Sequence, residues 1–314
     1  KFQYRVKDSG SWTSVADVAY SESESGEQIF YKEITGLTPG TTYEYQAMDG
    51  ELTSSVIREF TTEEKAQLPN SGFESWSGDV PKLIYGQGEG MFWDSGNHGS
   101  KKGNVNITTP DNTYKHSGDY SAKLESRNII IQFAAGNIFI GQYLDTQMDG
   151  LTGHGVLGFG RPFASRPKAL HGYIRYESGV VDKGGDKISN GSQDKGIIYI
   201  ALTSGEEEDY NGSQWSCIIR TKDKKFFDKN ASNVIAYGEQ IWDTSTEGDG
   251  MIEFTIPLVY RKSDVASERI VLVAAASMYG DYFAGAEGST MYLDDIQLLY
   301  DHPDDIQEGT VAVQ

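Results

Sequence analysis

Ser289-Thr-Met-Tyr-Leu-Asp-Asp-Ile-Gln-Leu298, close to the end of the chain, reads as a strand, and a partner for it lies more than two hundred residues upstream in Leu68-Pro-Asn-Ser-Gly-Phe-Glu-Ser-Trp76. If the two pair, the first and last strands of one domain run side by side and everything between them belongs to one fold. The intervening chain alternates short apolar runs with glycine-rich turns. It predicts strands at 121–125, 129–133, 169–176, 196–203, 214–221, 233–242, 251–258 and 270–277. Any helix is brief, over 225–230. Self-similarity at a period of about forty to fifty residues is missing, which favours a two-sheet sandwich over a propeller.

Composition agrees with an all-β protein. The 314 residues include 36 Gly, 19 Tyr and 13 Phe, and no long segment carries apolar residues at helical spacing. The length exceeds the ~100–200 residues of one domain, so two units are expected. With 27 basic against 46 acidic side chains the formal net charge is -19. Nucleic acid is therefore not an expected partner, because gripping a phosphate backbone needs a surplus of Lys and Arg on one face. An anionic membrane surface would repel the chain as well. No run approaches the ~18–20 apolar residues of a spanning helix, and Lys1 opens directly into a strand pattern, as expected of a mature or truncated chain. Cys217 is the single cysteine and sits in a strand pattern, where a buried thiol is expected and an internal disulfide is impossible. The histidines at 98, 116, 154, 171 and 302 show no metal-like spacing.

The first sixty residues form a module of their own. Phe2-Gln-Tyr-Arg-Val6 and Phe30-Tyr-Lys-Glu-Ile34 alternate with period two, and Pro39-Gly40 makes a turn before an alternating run from Thr42 to Met48. Leu37-Thr-Pro followed by Tyr43 is the sequence form of a tyrosine corner, in which the Tyr43 hydroxyl returns to the upstream backbone. With Ser55-Val-Ile-Arg-Glu-Phe-Thr-Thr62 closing the unit and Phe60 expected in its core, the segment resembles a fibronectin type III domain, an immunoglobulin-like sandwich. The resemblance covers the later strands of that family, so residues 1–62 are expected to be an incomplete, trimmed copy serving as a spacer. Residues 63–69, polar and ended by Pro69, read as a linker, and 70–301 as the second domain. Residues 302–314 read as an acidic tail.

The Asn-x-Gly-Phe-Glu opening and Tyr-Leu-Asp-Asp-Ile closing of the second domain resemble the terminal strands of jelly-roll modules among carbohydrate-binding domains. That resemblance places Glu74 near Asp294 and Asp295. Calcium takes six to eight oxygens, and these carboxylates with loop carbonyls are the expected ligands of a structural calcium ion. Plain solvation of strand ends is the alternative reading of the same acids. The acidic turns around 182–186 and 206–209 lack EF-hand spacing and read as solvated loops.

Five further segments narrow the assignment. They are Trp93-Asp-Ser-Gly-Asn97, Ser117-Gly-Asp-Tyr-Ser-Ala-Lys-Leu-Glu-Ser126, Ala134-Ala-Gly-Asn-Ile-Phe139, Gly160-Arg-Pro-Phe-Ala-Ser-Arg-Pro-Lys-Ala-Leu170 and Tyr279-Gly-Asp-Tyr-Phe-Ala-Gly285. Together, in this order, they resemble the putative carbohydrate metabolism domain of gut Bacteroidetes. The resemblance implies a carbohydrate role and a cell-envelope location, surface-exposed or periplasmic, frequently as a lipoprotein in which the domain follows adhesion-like modules, with the lipid anchor expected on an N-terminal segment ahead of Lys1. It implies no catalytic residues that can be carried onto this sequence.

For sugar binding the expected parts are aromatic faces flanked by amides, carboxylates and Arg. Trp93, Asn97, Arg161, Arg166, Tyr176, Trp215, Tyr279, Asp281 and Tyr282 are the candidates of that chemistry. Each has a bland alternative: Trp215 lies on an alternating strand and reads as core, Trp93 borders a glycine turn, and the two arginines, each before a proline, suit internal ion pairs. A hydrolase needs two facing carboxylates, for which Glu125, Glu177, Asp182, Glu253 and Asp281 all qualify by type. Non-catalytic binding of a poly- or oligosaccharide ranks first, glycoside hydrolysis second, and a structural or adhesion module without a glycan third.

Overall fold

The computed structural model describes residues 1–300 except 23–27, 33, 35, 50, 51, 55, 130, 131, 263 and 264. The predicted acidic tail lies outside the described residues. The chain divides into two compact units, Lys1–Lys65 and Ala66–Gln314.

In the first unit, antiparallel strands Phe2–Val6 and Thr42–Asp49 pair along their length, with Phe2 opposite Ala47 and Val6 opposite Tyr43. Thr13–Val15, Leu52–Thr53 and Arg58–Thr61 complete the sheet, and Ala19–Glu22 and Gln28–Tyr31 form a separate ribbon. The tyrosine corner is present: the Thr38 amide donates to the Tyr43 hydroxyl at 3.0 Å. Phe60 corrects the expectation of a buried ring. It rests against Tyr43 and Tyr45, with centroids 5.7 and 5.9 Å away, and its remaining surface leaves it 36 % exposed.

The second unit is a two-sheet jelly roll. One five-stranded sheet runs in the order Ile252–Pro257, Ala169–Glu177, Thr290–Leu299, Ser121–Glu125, Thr108–Asp111. The facing nine-stranded sheet has the main order Cys217–Arg220, Thr152–Phe159, Asn137–Asp149, Arg269–Ala275, Gly196–Thr203, Val234–Trp242, Val259–Tyr260. Strict alternation gives each strand of the large sheet two different faces. Ile138, Ile140, Ile198, Ile200, Leu202 and Leu272 point into the core between the sheets, where they meet Leu124, Leu170, Ile174 and Leu293. Phe139, Ala201, Val271, Val273 and the half-buried Tyr199 point the other way.

The two termini of this unit do lie together, although Leu68–Trp76 forms no regular strand. Ser71 supplies its carbonyl to the Ile296 amide at 2.9 Å. The Gln67 side chain donates to the Leu298 carbonyl at 2.7 Å and accepts from the Leu298 amide at 2.8 Å. Other differences are local. The predicted 214–221 strand is broken at Ser216 into Ser213–Trp215 and Cys217–Arg220, and 225–230 contains no helix. Gly158 explains the packing beside that break: a Cβ there would fall 2.3 Å from the Trp215 ring, so only glycine lets the indole lie against the strand. Among the described residues no helix is long and apolar enough to cross a membrane.

Candidate functional site

A cavity of about 360 Å³ opens on the outer face of the nine-stranded sheet. Its floor follows from strand register. Phe139, Val273 and Tyr199 form one cross-strand row, and Asn137, Ala275 and Ile197 form the next row on the same face. One wall is the short helical stretch Asn97–Ser100 with the following turn Lys101–Gly103. Another is the hairpin of Arg127–Ile129 and Gln132–Ala134, which presents Ile129 and Phe133. Tyr143, Thr146 and Met148 come from the projecting end of Asn137–Asp149, Leu151 from the turn that follows it, and Gly280, Asp281 and Phe283 from the turn before the last strand.

Polar side chains in this lining are largely committed to the protein. Gln132 exchanges two hydrogen bonds with the Gly153 backbone, at 2.7 and 2.9 Å. Asn137 accepts from the Gly96 amide and donates to the Ala135 carbonyl. The Tyr143 and Thr146 hydroxyls pair at 2.8 Å. Ser277 donates to the buried Asp194 carboxylate at 2.6 Å and contacts the Ser126 hydroxyl at 2.7 Å. The Asp281 carboxylate and the Tyr199 hydroxyl, by contrast, have no hydrogen-bond partner among the described residues. Asp281 is reached by solvent, yet the cavity walls crowd its carboxyl group, and the lost hydration raises its pKa to about 6. Burial, with the nearby Asp281 charge, pushes the Tyr199 hydroxyl well above its ordinary value. Phe227 stacks on Tyr199 at 5.2 Å and holds the ring in place.

Of the nine residues predicted to bind sugar, Asp281 alone lines this cavity. Four are corrected by burial. Trp93 is 1 % exposed, edge-on to Phe73 and Phe92, with its indole N–H donating to the Pro69 carbonyl at 2.7 Å. Asn97 is buried and uses its whole amide to tie loops together, accepting from the Ile107 and Thr108 amides and donating to the Lys82 and Thr108 carbonyls. Tyr176 is buried between the sheets with its hydroxyl on the Ala276 carbonyl, and Trp215 is 2 % exposed. A ligand cannot stack on rings that solvent does not reach. Arg161 lies over the Trp215 ring at 5.0 Å and donates to the Gly141 carbonyl; burial lowers its pKa. Arg166 donates to the Val265 carbonyl and covers the Tyr260 ring at 4.7 Å. Tyr279 is half-buried against Val181, Ile188 and Ala284, while Tyr282 stays 41 % exposed beside Phe226.

Of the carboxylates named for hydrolysis, Glu125 and Glu177 flank Thr290 from its two neighbouring strands, on the same face of the five-stranded sheet. Glu125 is paired with Lys123 and Arg127 at 2.8 Å each, and Glu177 with Arg175 at 2.9 Å. Asp182 accepts from the Glu287 amide and the Asn128 side chain, and Glu253 is exposed near His171. Cys217 is half-buried, and burial pushes its thiol up to about 12, the direction that disfavours the thiolate.

At the predicted calcium position each acid faces protein donors. Asp294 is buried and accepts from the His116, Ser117 and Asp295 amides. Glu74 accepts from the Asp119 and Tyr120 amides. Asp295 meets the His116 ring nitrogen at 2.6 Å, and that ring stacks on Tyr173. Among the described residues no group of three His, Cys, Asp or Glu side chains converges on one ion position. The donor set found here therefore does not fit calcium.

Residues 64–299 match the family model described as putative carbohydrate metabolism domain, three quarters of the chain. The chain belongs to that family. A putative glycoside hydrolase from Bacteroides thetaiotaomicron shares the fold of this putative carbohydrate metabolism domain protein with a TM-score of 0.55 and 21% identity, over 83% of this chain and 78% of that one. A putative glycoside hydrolase from Bacteroides vulgatus has a TM-score of 0.52 and 19% identity, over 73% of this chain and 97% of the other. No curated protein matches the chain significantly. Neither the cavity nor its key groups Tyr199, Phe133 and Tyr143 stand out in the sequence. The one signal was available in 196–203, where Tyr199 interrupts the aliphatic series Ile198, Ile200, Leu202 at an outward position.

Proposed function

We propose that the chain binds a poly- or oligosaccharide without cleaving it, in the cavity on the outer face of the large sheet, as an extracellular or cell-surface protein of a polysaccharide-using gut bacterium. The observation that carries this reading is the lining itself. Aromatic and aliphatic walls suit the C–H faces of sugar rings, a few polar groups orient them, and among the described lining residues Asp281 is the one carboxylate. Glycoside hydrolysis uses two carboxyl groups, ~5–5.5 Å apart for retention or ~6.5–9.5 Å for inversion. The bacterial location is supported by the Bacteroides origin of the two structural relatives.

Hydrolysis is the second reading, favoured by the raised pKa of Asp281, which suits a general acid, and by the description of both relatives as putative glycoside hydrolases. Incubation with plant, host and microbial polysaccharides separates the two. Depletion of protein from solution with no new reducing ends is the expected result. New reducing ends that disappear in Asp281→Asn establish the hydrolase, and silence in both measurements moves the domain to a structural role.

A further inference from the structure

We infer that the cavity selects sugars carrying an N-acetyl group, an N-acetylhexosamine at or near a chain end, over their fully hydroxylated counterparts. The inference rests on the carbohydrate-binding reading and deepens it. A plain hexose brings hydroxyls on nearly every carbon, and each one buried without a partner forfeits its hydration. Much of the lining's polar capacity is spent: Gln132, Asn137 and Ser277 bond to other protein groups, and Tyr143 and Thr146 bond each other, which leaves one hydroxyl proton of that pair. The lining groups without any hydrogen-bond partner among the described residues include the exposed Asp281 carboxylate and the half-buried Tyr199 phenol, close enough for the Asp281 charge to act on Tyr199.

An acetamido sugar matches that distribution. Its amide N–H and a neighbouring ring hydroxyl are two donors suited to one carboxylate, and the amide carbonyl can accept from the phenol. Its methyl group needs an apolar wall, which the half-buried Ile129, Leu157 and Phe283 of the lining supply. At about 360 Å³ the cavity lies at the small end of ligand sites, the scale of one or two sugar rings and not of a long chain laid across a flat sheet. Lys102, also in the lining, is exposed and holds its ammonium against the Met148 sulfur.

The test is a titration of the intact chain with four methyl glycosides in matched pairs: N-acetylglucosamine against glucose, and N-acetylgalactosamine against galactose. The acetamido member of each pair is expected to bind at least ~10-fold more tightly. Saturation-transfer NMR should show the acetyl methyl protons as the most strongly saturated. Asp281→Asn and Tyr199→Phe, which keep the cavity shape, should each shrink the preference. Equal affinity within both pairs overturns the N-acetyl inference while leaving sugar binding intact. Failure of all four glycosides also overturns it. If the polysaccharide panel is then unbound as well, the carbohydrate-binding reading falls with it.

Discussion

The two faces of the nine-stranded sheet are built from the same strands and have opposite characters. The inner face is aliphatic, with Ile138, Ile140, Ile198, Ile200 and Leu272 buried against the second sheet. The outer face carries Phe139, Phe159, Tyr199 and Tyr237, rings with hydroxyls among them, and the cavity opens on it. Alternation lets a single strand serve stability on one side and recognition on the other. The cost of a substitution should therefore depend on its parity along the strand more than on its distance from the cavity.

The largest test of that contrast is a pair of truncations on neighbouring strands. Ile200→Ala should destabilise by about 2–5 kcal/mol, because it opens a void in a filled core. Val273→Ala, on a wall that already borders empty space, should cost only ~1–2 kcal/mol. Chemical denaturation measures both, and equal losses would mean that the outer face is as tightly packed as the inner one.

Gly158→Ala probes the margin of the sheet, where the added methyl collides with the Trp215 ring. A loss of about 1–3 kcal/mol is expected, with a change in indole fluorescence as the ring moves. An unshifted spectrum would contradict the packing described.

Asp281 sharpens the comparison through pH. Its native pKa is raised from 3.8 to about 6, so below pH 4 both folded and unfolded forms hold the proton, and as pH rises to about 6 the folded state loses stability by resisting ionisation. Asp281→Asn should then raise Tm relative to the parent at pH 8 and leave it unchanged at pH 4. A difference that persists at pH 4 would point to a packing effect instead. The smallest expected effect is that of metal: thermal melts in calcium and in EDTA should superpose, since Asp294 and Glu74 are held by backbone amides. A Tm raised by calcium would require those carboxylates to turn.

What could be read from sequence was local or periodic. The tyrosine corner needs only Leu37, Pro39 and Tyr43, and the structure forms it. The strands Ser121–Glu125 and Gly196–Thr203 carry clear apolar runs between turns and fall where predicted. The longest strand, Asn137–Asp149, was hidden because Ile138, Phe139 and Ile140 are buried on both faces and Gly141 interrupts the run, so alternation never shows. The cavity was less legible still. Its parts are drawn from Gly96 through Phe283, and residue type does not reveal face: Trp93 and Trp215 have sugar-platform chemistry and spend it on packing, whereas Tyr199 stacks on Phe227 and keeps its hydroxyl without a partner among the described residues.

The clasp between Gln67 and Leu298 bears on how the edge of the last strand is closed. Beyond Leu293 the last strand has no Ser121–Glu125 residue opposite it, and its free edge is met by Ser71 and by an amide side chain that donates and accepts as a neighbouring peptide would. An uncovered edge of that kind is a template for intermolecular strand addition. One glutamine thus acts as a molecular stopper, occupying from within the chain the peptide groups that an added strand would need.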